Sequence, residues 1–195
     1  EAGTALTTGD DNTAVGYGAL IATNTGLRNT ATGANSLKTN TTGSENTANG
    51  YDSLQANTTG ASNVAVGREA MYSNTTGDFN TSIGHTALGF NTTADNNTAV
   101  GYHSLRANTT GTGGTAVGKG TLDANTTGSN NSALGANALG ANTTGTANVA
   151  VGTAALEANT TASNNTAVGF YSLLANTTGT SNVAVGKNAL AANTT

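Results

Sequence analysis

Small, β-branched and polar residues return at fixed places along this chain, in a unit of seventeen residues that repeats without insertion or deletion. The unit reads N-T-A-V-G-Y-x-A-L-x-A-N-T-T-G-x-x, and we number its positions 1 to 17 from the first Asn. Position 1 is Gly114 in one copy and Asn in the others: Asn12, Asn29, Asn46, Asn63, Asn80, Asn97, Asn131, Asn148, Asn165 and Asn182. Residues 1–11 form a partial leading repeat, and residues 12–195 form an array of ten full units and one truncated unit. A fixed period of this kind indicates a solenoid whose units stack on one another.

The pattern within one unit predicts two short strands and a turn. Thr-Ala-Val at positions 2 to 4 has the composition of a strand, and the Gly at position 5 is present in every copy. Ala-Leu-x-Ala at positions 8 to 11 predicts a second strand, and Asn-Thr-Thr-Gly at positions 12 to 15 is typical of a turn. No apolar stripe of helical period lasts ten residues. We therefore predict an all-β parallel β-solenoid, or β-roll, with one coil per repeat unit.

The identity of the apolar residues predicts which of them face the interior. Position 9 is Leu in every copy except Met71, and we expect it to form one buried column. Position 2 becomes Val in three copies and position 4 is mostly β-branched, so we expect both positions to face inward. This assignment places the following side chains in the interior: Val15, Val66, Val100 and Val151.

Position 3 is Ala in every copy except Ser82, although this assignment turns it outward. An outward position that stays small predicts contact with another surface. One coil also offers few large apolar side chains to offset the entropy of ordering a whole unit. We therefore expect a homo-oligomer, preferably a trimer, with Ala99 and Ala116 in the interface.

Composition removes several classes of function. Charged residues make up 8% of the chain and the formal net charge is −4. The six Lys and Arg residues are scattered and form no basic stripe, which argues against nucleic acid. No apolar run of about 18 residues occurs, so we expect no membrane insertion by this segment. Because the chain starts at Glu1 and its last unit is incomplete, we interpret it as a segment of a longer or processed protein.

The Asn-x-Thr pattern at position 12 is the acceptor pattern for N-glycosylation. The alternative is a turn in which the Asn side chains stack from coil to coil and form hydrogen bonds with one another. Further matches lie outside position 12, among them Asn96, Asn130 and Asn164. The candidate glycosylation sites at position 12 are Asn40, Asn57, Asn74, Asn91, Asn108, Asn125, Asn142, Asn159, Asn176 and Asn193.

No constellation of residues predicts catalysis, a cofactor or a metal ion. His85 and His103 occupy variable positions in neighbouring units, and the acidic residues never recur as the dense ladder of calcium-binding repeats. The Thr residues at positions 13 and 14, such as Thr109 and Thr126, would form regular ranks about 4.8 Å apart in stacked coils. Such ranks resemble the surfaces of ice-binding solenoids, although adjacent Thr side chains point to opposite faces of an extended segment.

The strings NVAVG and NTAVG, each followed by x-x-A/S-L, resemble the head repeats of trimeric autotransporter adhesins. The full unit is also similar to repetitive regions of tail-fibre-type proteins of phages and bacteria. The resemblance covers nearly the whole chain, and the unit is longer than the adhesin head repeat. It implies a β-roll, usually of three chains, in an extracellular fibre on a cell surface or a virion.

The function predicted from the sequence is therefore a structural segment of an extracellular fibre or filament, without catalysis. The partners we expect are further copies of the chain, covalent glycans and host-surface glycans. Two alternatives remain open. One is an ice-binding β-solenoid that uses Thr ladders. The other is a carbohydrate-binding adhesin head, with contacts at variable positions such as Tyr102, Arg106 and Tyr171.

Overall fold

The computed structural model describes residues 1–4, 8–23 and 25–195, and in these ranges the chain forms a β-solenoid without any helix. Each coil contributes one strand of three residues to a single parallel sheet, in which the strands follow chain order. The prediction of an all-β parallel solenoid with one coil per repeat unit is confirmed. Eleven coils at about 4.8 Å give a rod of roughly 50 Å. The strands are β1 Thr13–Val15, β2 Thr30–Thr32, β3 Thr47–Asn49, β4 Val64–Val66, β5 Thr81–Ile83, β6 Thr98–Val100, β7 Thr115–Val117, β8 Ser132–Leu134, β9 Val149–Val151, β10 Thr166–Val168 and β11 Val183–Val185.

Register between strands explains why the repeat tolerates no change in length. Every strand residue pairs with the residue one unit later, as Ala99 pairs with Ala116. Equivalent positions therefore lie directly above one another along the whole rod. A single inserted residue would turn the following side chains of that strand to the opposite face.

The Gly at position 5 ends each strand in a backbone conformation that side chains do not tolerate. Gly101 has a φ of 133°. A Cβ atom on Gly101 would also lie 2.5 Å from the carbonyl oxygen of Gly118 in the next coil. Conformation and close approach thus require glycine independently, which accounts for its presence in all eleven units.

The prediction of a second strand at positions 8 to 11 is wrong. This segment consists of turns, and the Leu at position 9 has a left-handed φ, for example 49° at Leu105. Left-handed backbone costs roughly 1–2 kcal/mol for an ordinary residue, whereas burying a Leu side chain contributes roughly 1.5–3 kcal/mol. Burial therefore offsets the backbone strain, and the amide of Leu105 still donates to the carbonyl of Thr121 at 3.0 Å.

Position 9 forms the buried column that the sequence predicts. The side chains from Leu20 to Leu173, with Met71 among them, are 0–1% exposed. Leu190 lies in the last coil and is 51% exposed. The column contacts the small residues of position 3, and together they make one continuous apolar core.

The predicted orientation of the strand is wrong, because the strand shows its opposite face to the interior. Val15 and Val66 are 57% and 36% exposed, and Val100 and Val151 are only half-buried. Position 3 lies inside instead, and Ala99 is fully buried. The coil is narrow, and the Leu column leaves room for one methyl group on the strand opposite. Size at position 3 is therefore restricted by the chain's own core.

This orientation also overturns the interface expected at position 3. Ala99 and Ala116 have no exposed surface in the single chain. An Arg side chain at either position would disrupt the coil itself and would not report on contacts between chains.

We expect Gly101→Ala to destabilise the folded coil by about 3 kcal/mol, since it adds backbone strain to a close contact with the next coil. The free energy of unfolding from urea titration, followed by circular dichroism, measures this loss. Gly120→Ala is the matched control. Its left-handed position is occupied by an alanine, Ala154, in another coil, and the change should cost much less. Equal losses in the two variants would contradict the steric explanation.

Candidate functional site

The Asn side chains of position 12 form a continuous hydrogen-bonded ladder inside the solenoid. The Nδ2 of Asn108 donates to Oδ1 of Asn91 at 3.0 Å and to the carbonyl of Gly111 at 2.9 Å. Asn125 in turn donates to Oδ1 of Asn108 at 3.0 Å. Each side-chain amide is thus both donor and acceptor along the ladder. Each also donates to the backbone carbonyl three residues later, which closes the turn of its own coil. Buried amides that are paired in this way carry little desolvation penalty.

This ladder is the alternative to glycosylation that the sequence leaves open. A glycan replaces a hydrogen of Nδ2, and both Nδ2 hydrogens of Asn108 are already used within the core. An oligosaccharide cannot be accommodated there in the folded coil. The same placement applies to Asn40, Asn57, Asn74, Asn91, Asn108, Asn125, Asn142, Asn159 and Asn176, which are 0–1% exposed, and Asn193 in the last coil is half-buried.

Three other acceptor patterns lie on the surface. Asn96, Asn130 and Asn164 occupy position 17 and are exposed. They recur in every second coil, and the intervening coils carry Gly113 and Ala147 at this position. These side chains, in contrast to those of position 12, are accessible to modification.

A second buried ladder runs along position 1, and sequence reasoning did not find it. The backbone amide of Asn63 donates to Oδ1 of Asn46 at 3.0 Å, while its Nδ2 donates to the carbonyl of Gly77 at 2.8 Å. Asn63 thus links its own strand to the coil before it and to the turn that follows. The sequence feature that could have identified this ladder is the nearly invariant Asn immediately before each strand. Gly114 supplies only its backbone amide, which donates to Oδ1 of Asn97 at 2.8 Å.

The Thr residues of the turn have different roles. At position 13 the hydroxyl is used within the rod, because Oγ1 of Thr109 and of Thr126 each donates to the carbonyl of the equivalent Thr one coil later, both at 3.0 Å. At position 14 the side chains are exposed, as at Thr110. The turn therefore presents one rank of free Thr hydroxyls and does not form the paired ranks considered for ice binding.

One regular surface is the outer face of the sheet, formed by positions 2 and 4. We call it the sheet face. Its side chains are mainly Thr or Val at position 2 and Val at position 4, and no charged residue occurs at either position in any of the eleven coils. Among its exposed members are Val15, Val64, Val66, Ile83, Leu134, Val183 and Val185, at 36–70%.

Charged residues are confined to the remaining surface, at positions 6, 7, 10, 16 and 17. In the described part of the chain they form three ion pairs, Arg28–Glu45, Arg68–Glu69 and Arg106–Asp123. All three are solvent-accessible and contribute at most about 1 kcal/mol each. These faces are therefore charged, in contrast to the uncharged sheet face.

His85 and His103 meet at the surface together with an aromatic ring. Tyr102 stacks on His103 with ring centroids 3.8 Å apart, and on His85 at 5.6 Å. Partial burial, followed by the nearby Arg106, lowers the pKa of His103 below its ordinary value. Neutral His103 is therefore favoured near pH 7, which suits stacking.

Within the described ranges, no group of three or more His, Asp or Glu residues is placed to hold a metal ion. In the coil of β10, Phe170 and Tyr171 form a similar exposed pair.

Comparisons with protein-family models, curated protein sequences and solved structures gave no match. In the described residues there is no helix long and apolar enough to cross a membrane.

We expect Asn108→Ala to cost about 3 kcal/mol of stability, because it leaves Oδ1 of Asn91 and one Nδ2 hydrogen of Asn125 buried without partners. The carbonyl of Gly111 keeps its hydrogen bond from Asn97. Urea titration followed by circular dichroism measures the loss. Thr110→Ala, two residues away on the exposed rank, is the control and should change stability by less than about 0.5 kcal/mol. If Asn108→Ala is as mild as the control, the ladder does not support the rod.

Proposed function

We propose that this chain is a structural segment of an extracellular fibre or filament, and that copies of it assemble through the sheet face. The observation that supports the proposal is the continuous, uncharged and largely β-branched surface of positions 2 and 4 along all eleven strands. Soluble monomers rarely leave a regular row of exposed Val, Ile and Leu side chains without a partner. No catalytic role is part of the proposal.

The shape of the sheet face suits a second copy of the same chain. Its side chains stand in two straight ranks, repeated at the strand spacing of about 4.8 Å. Two identical surfaces with this repeat can interlock along the full length of about 50 Å, because ridges and grooves have the same period. Val and Thr also lose little side-chain entropy on burial, since branching already restricts them.

We infer a closed homo-oligomer, and of the possible sizes we propose the trimer that the resemblance to adhesin heads implies, with three rods around one axis and their sheet faces inward. Closed rotational symmetry buries the face of every copy and leaves no apolar edge, whereas an open arrangement would continue to add chains. The charged faces at positions 6, 7, 10, 16 and 17 then remain in solvent. The same arrangement accommodates a fibre exposed to the cell exterior or carried on a virion. Covalent glycans would attach at exposed sites such as Asn130.

A glycan-binding role is a second candidate, supported by the exposed aromatic stack of His85, Tyr102 and His103. Aromatic ring faces provide apolar platforms with polar edges, a combination that suits sugar rings. Arg106 lies beside this stack and carries a hydrogen-bond donor at 37% side-chain exposure. The stack lies outside the sheet face, so assembly would leave it accessible.

For the assembly, we expect the double variant Val100→Arg, Val117→Arg to be a folded monomer, because like charges at neighbouring rungs oppose burial of the sheet face. Sedimentation velocity gives the mass, and circular dichroism confirms folding. The matched control, Thr110→Arg with Thr127→Arg, places the same charges on neighbouring coils at position 14 and should leave assembly unchanged. A wild-type chain that is monomeric at high concentration would contradict the proposal, and thermal hysteresis in that monomer would favour ice binding by the sheet face.

For the glycan candidate, we expect Tyr102→Ala to lower the binding of any glycan retained on a glycan array by about tenfold, as loss of an aromatic platform costs about 1–1.5 kcal/mol. Tyr17→Ala removes an exposed Tyr from the same unit position in the first full coil and serves as the control. Equal binding by the two variants, or no glycan retained by the wild type, would remove this candidate.

A further inference from the structure

The coil of residues 80–96 departs from the repeat at a surface cavity. At position 10 this coil has Gly89, where the neighbouring coils have Tyr72 and Arg106. At position 11 it has Phe90, where ten copies have Ala, Ser or Thr. Compared with its neighbours, this coil lacks a side chain at position 10 and has an additional aromatic ring at position 11. The resulting cavity of about 310 Å³ is lined by Asp52, Glu69, Tyr72, Thr86, Gly89 and Phe90.

Backbone strain marks the same place. Thr86 at position 7 has a φ of 53°, and it is the only β-branched residue with left-handed φ in the described part of the chain. Such a conformation is unfavourable for a β-branched side chain, and strain of this kind concentrates at functional sites. Asn, Asp or Gly, which accept left-handed backbone readily, occupy position 7 in six other coils. This coil therefore has Thr at a position where other coils have residues with less backbone strain.

Asp52 is a buried carboxylate in the wall of this cavity, and no cation compensates its charge. Its exposure is 8%. Asn35 Nδ2 and Gln55 Nε2 both donate to Oδ1, at 3.0 and 3.2 Å, and no described residue donates to Oδ2. None of the three ion pairs of the described chain includes Asp52. The Oδ2 atom of Asp52 is accessible to solvent, so it can accept a hydrogen bond from a positive group that enters the cavity.

The other walls fit the same kind of ligand. Glu69 adds a second carboxylate one coil away, and only its Oε1 is used by Arg68, at 2.9 Å. With Arg68 included, the local formal charge is −1. The Tyr72 and Phe90 side chains are 38% and 49% exposed, so each offers ring surface to solvent. Aromatic rings attract cations over their faces, and the attraction increases with desolvation.

From these contacts we infer that the cavity binds a small organic cation with an alkylammonium group. The ammonium hydrogens donate to Oδ2 of Asp52 and to Glu69, and the alkyl part lies between the rings of Tyr72 and Phe90 on the floor made by Gly89. All six lining residues lie outside positions 2 and 4. Binding therefore does not compete with assembly through the sheet face, and the inference does not depend on the proposed function.

The test is a titration of the intact chain with n-butylammonium, followed by the backbone amide NMR signals of Glu69, Thr86, Gly89 and Phe90. We expect saturable shifts at these residues at low ionic strength and weaker binding as salt is added. n-Butanol, which has a similar alkyl chain without charge, should produce no comparable shift. Equal or tighter binding of n-butanol, or of the neutral sugar methyl glucoside, would overturn the inference.

Two pairs of variants locate the site. Asp52→Asn should weaken n-butylammonium binding about tenfold or more, since it removes the charge that accepts the ammonium hydrogen bond. It should also fold, because Asn35 and Asn137 occupy the same position with the same left-handed φ. Glu157→Gln makes the same change in net charge at a distant surface position and should leave affinity unchanged. Equal affinities of these two variants would overturn the assignment.

Gly89→Tyr should abolish binding, because it places a side chain on the floor of the cavity, beside Thr86. Gly140→Tyr is its control, since Gly140 occupies the same unit position in a coil whose cavity-facing positions carry Ala and Asn. Retained binding in Gly89→Tyr, with circular dichroism showing a folded protein, would refute the placement of the ligand. If that variant does not fold, Asp52→Asn decides the question alone.

Discussion

Hydrogen bonding between successive coils is the interaction on which the rest of this structure depends. A single coil is too thin to satisfy its own backbone, so its amides and carbonyls find partners on the coils before and after it. The two Asn ladders extend this pairing to buried side chains, and they bond turn carbonyls that lie inside the coil. Because the same pattern of bonds is repeated from each coil to the next, the length of the unit cannot vary.

The narrow interior divides the unit into positions that cannot change and positions that can. Position 5 needs glycine for its backbone, position 3 needs a small side chain, and position 9 needs one that fills the column. Charge is excluded from the strand and occurs only on the turns and corners. The rod therefore has one uncharged face of constant composition and other faces of variable composition. The constant face suits assembly, and the variable faces can acquire individual sites without loss of the fold.

Sites on a repeat protein arise where one coil departs from its neighbours. The coil that contains Gly89 and Phe90 combines a missing side chain, an additional ring and a strained Thr86, and it does so next to the uncompensated carboxylate of Asp52. Each departure alone would be an ordinary surface substitution. Their coincidence in one place produces a cavity with a definite charge and definite walls.

The sequence alone determined the class of fold, the length of a coil, the strand before each Gly and the buried column of position 9, because these depend on period and residue type. It left open whether Asn108 and its equivalents face inward, and it led to the wrong face for Val100 and Ala99. A strand of three residues can face the interior either with its two outer residues or with its middle residue, and the sequence pattern fits both. Only the width of the coil decides that the middle residue, Ala, lies opposite Leu105. The left-handed Leu residues and the cavity beside Gly89 were also beyond sequence reasoning. Both follow from how neighbouring coils stack in three dimensions, and local preferences do not encode that stacking.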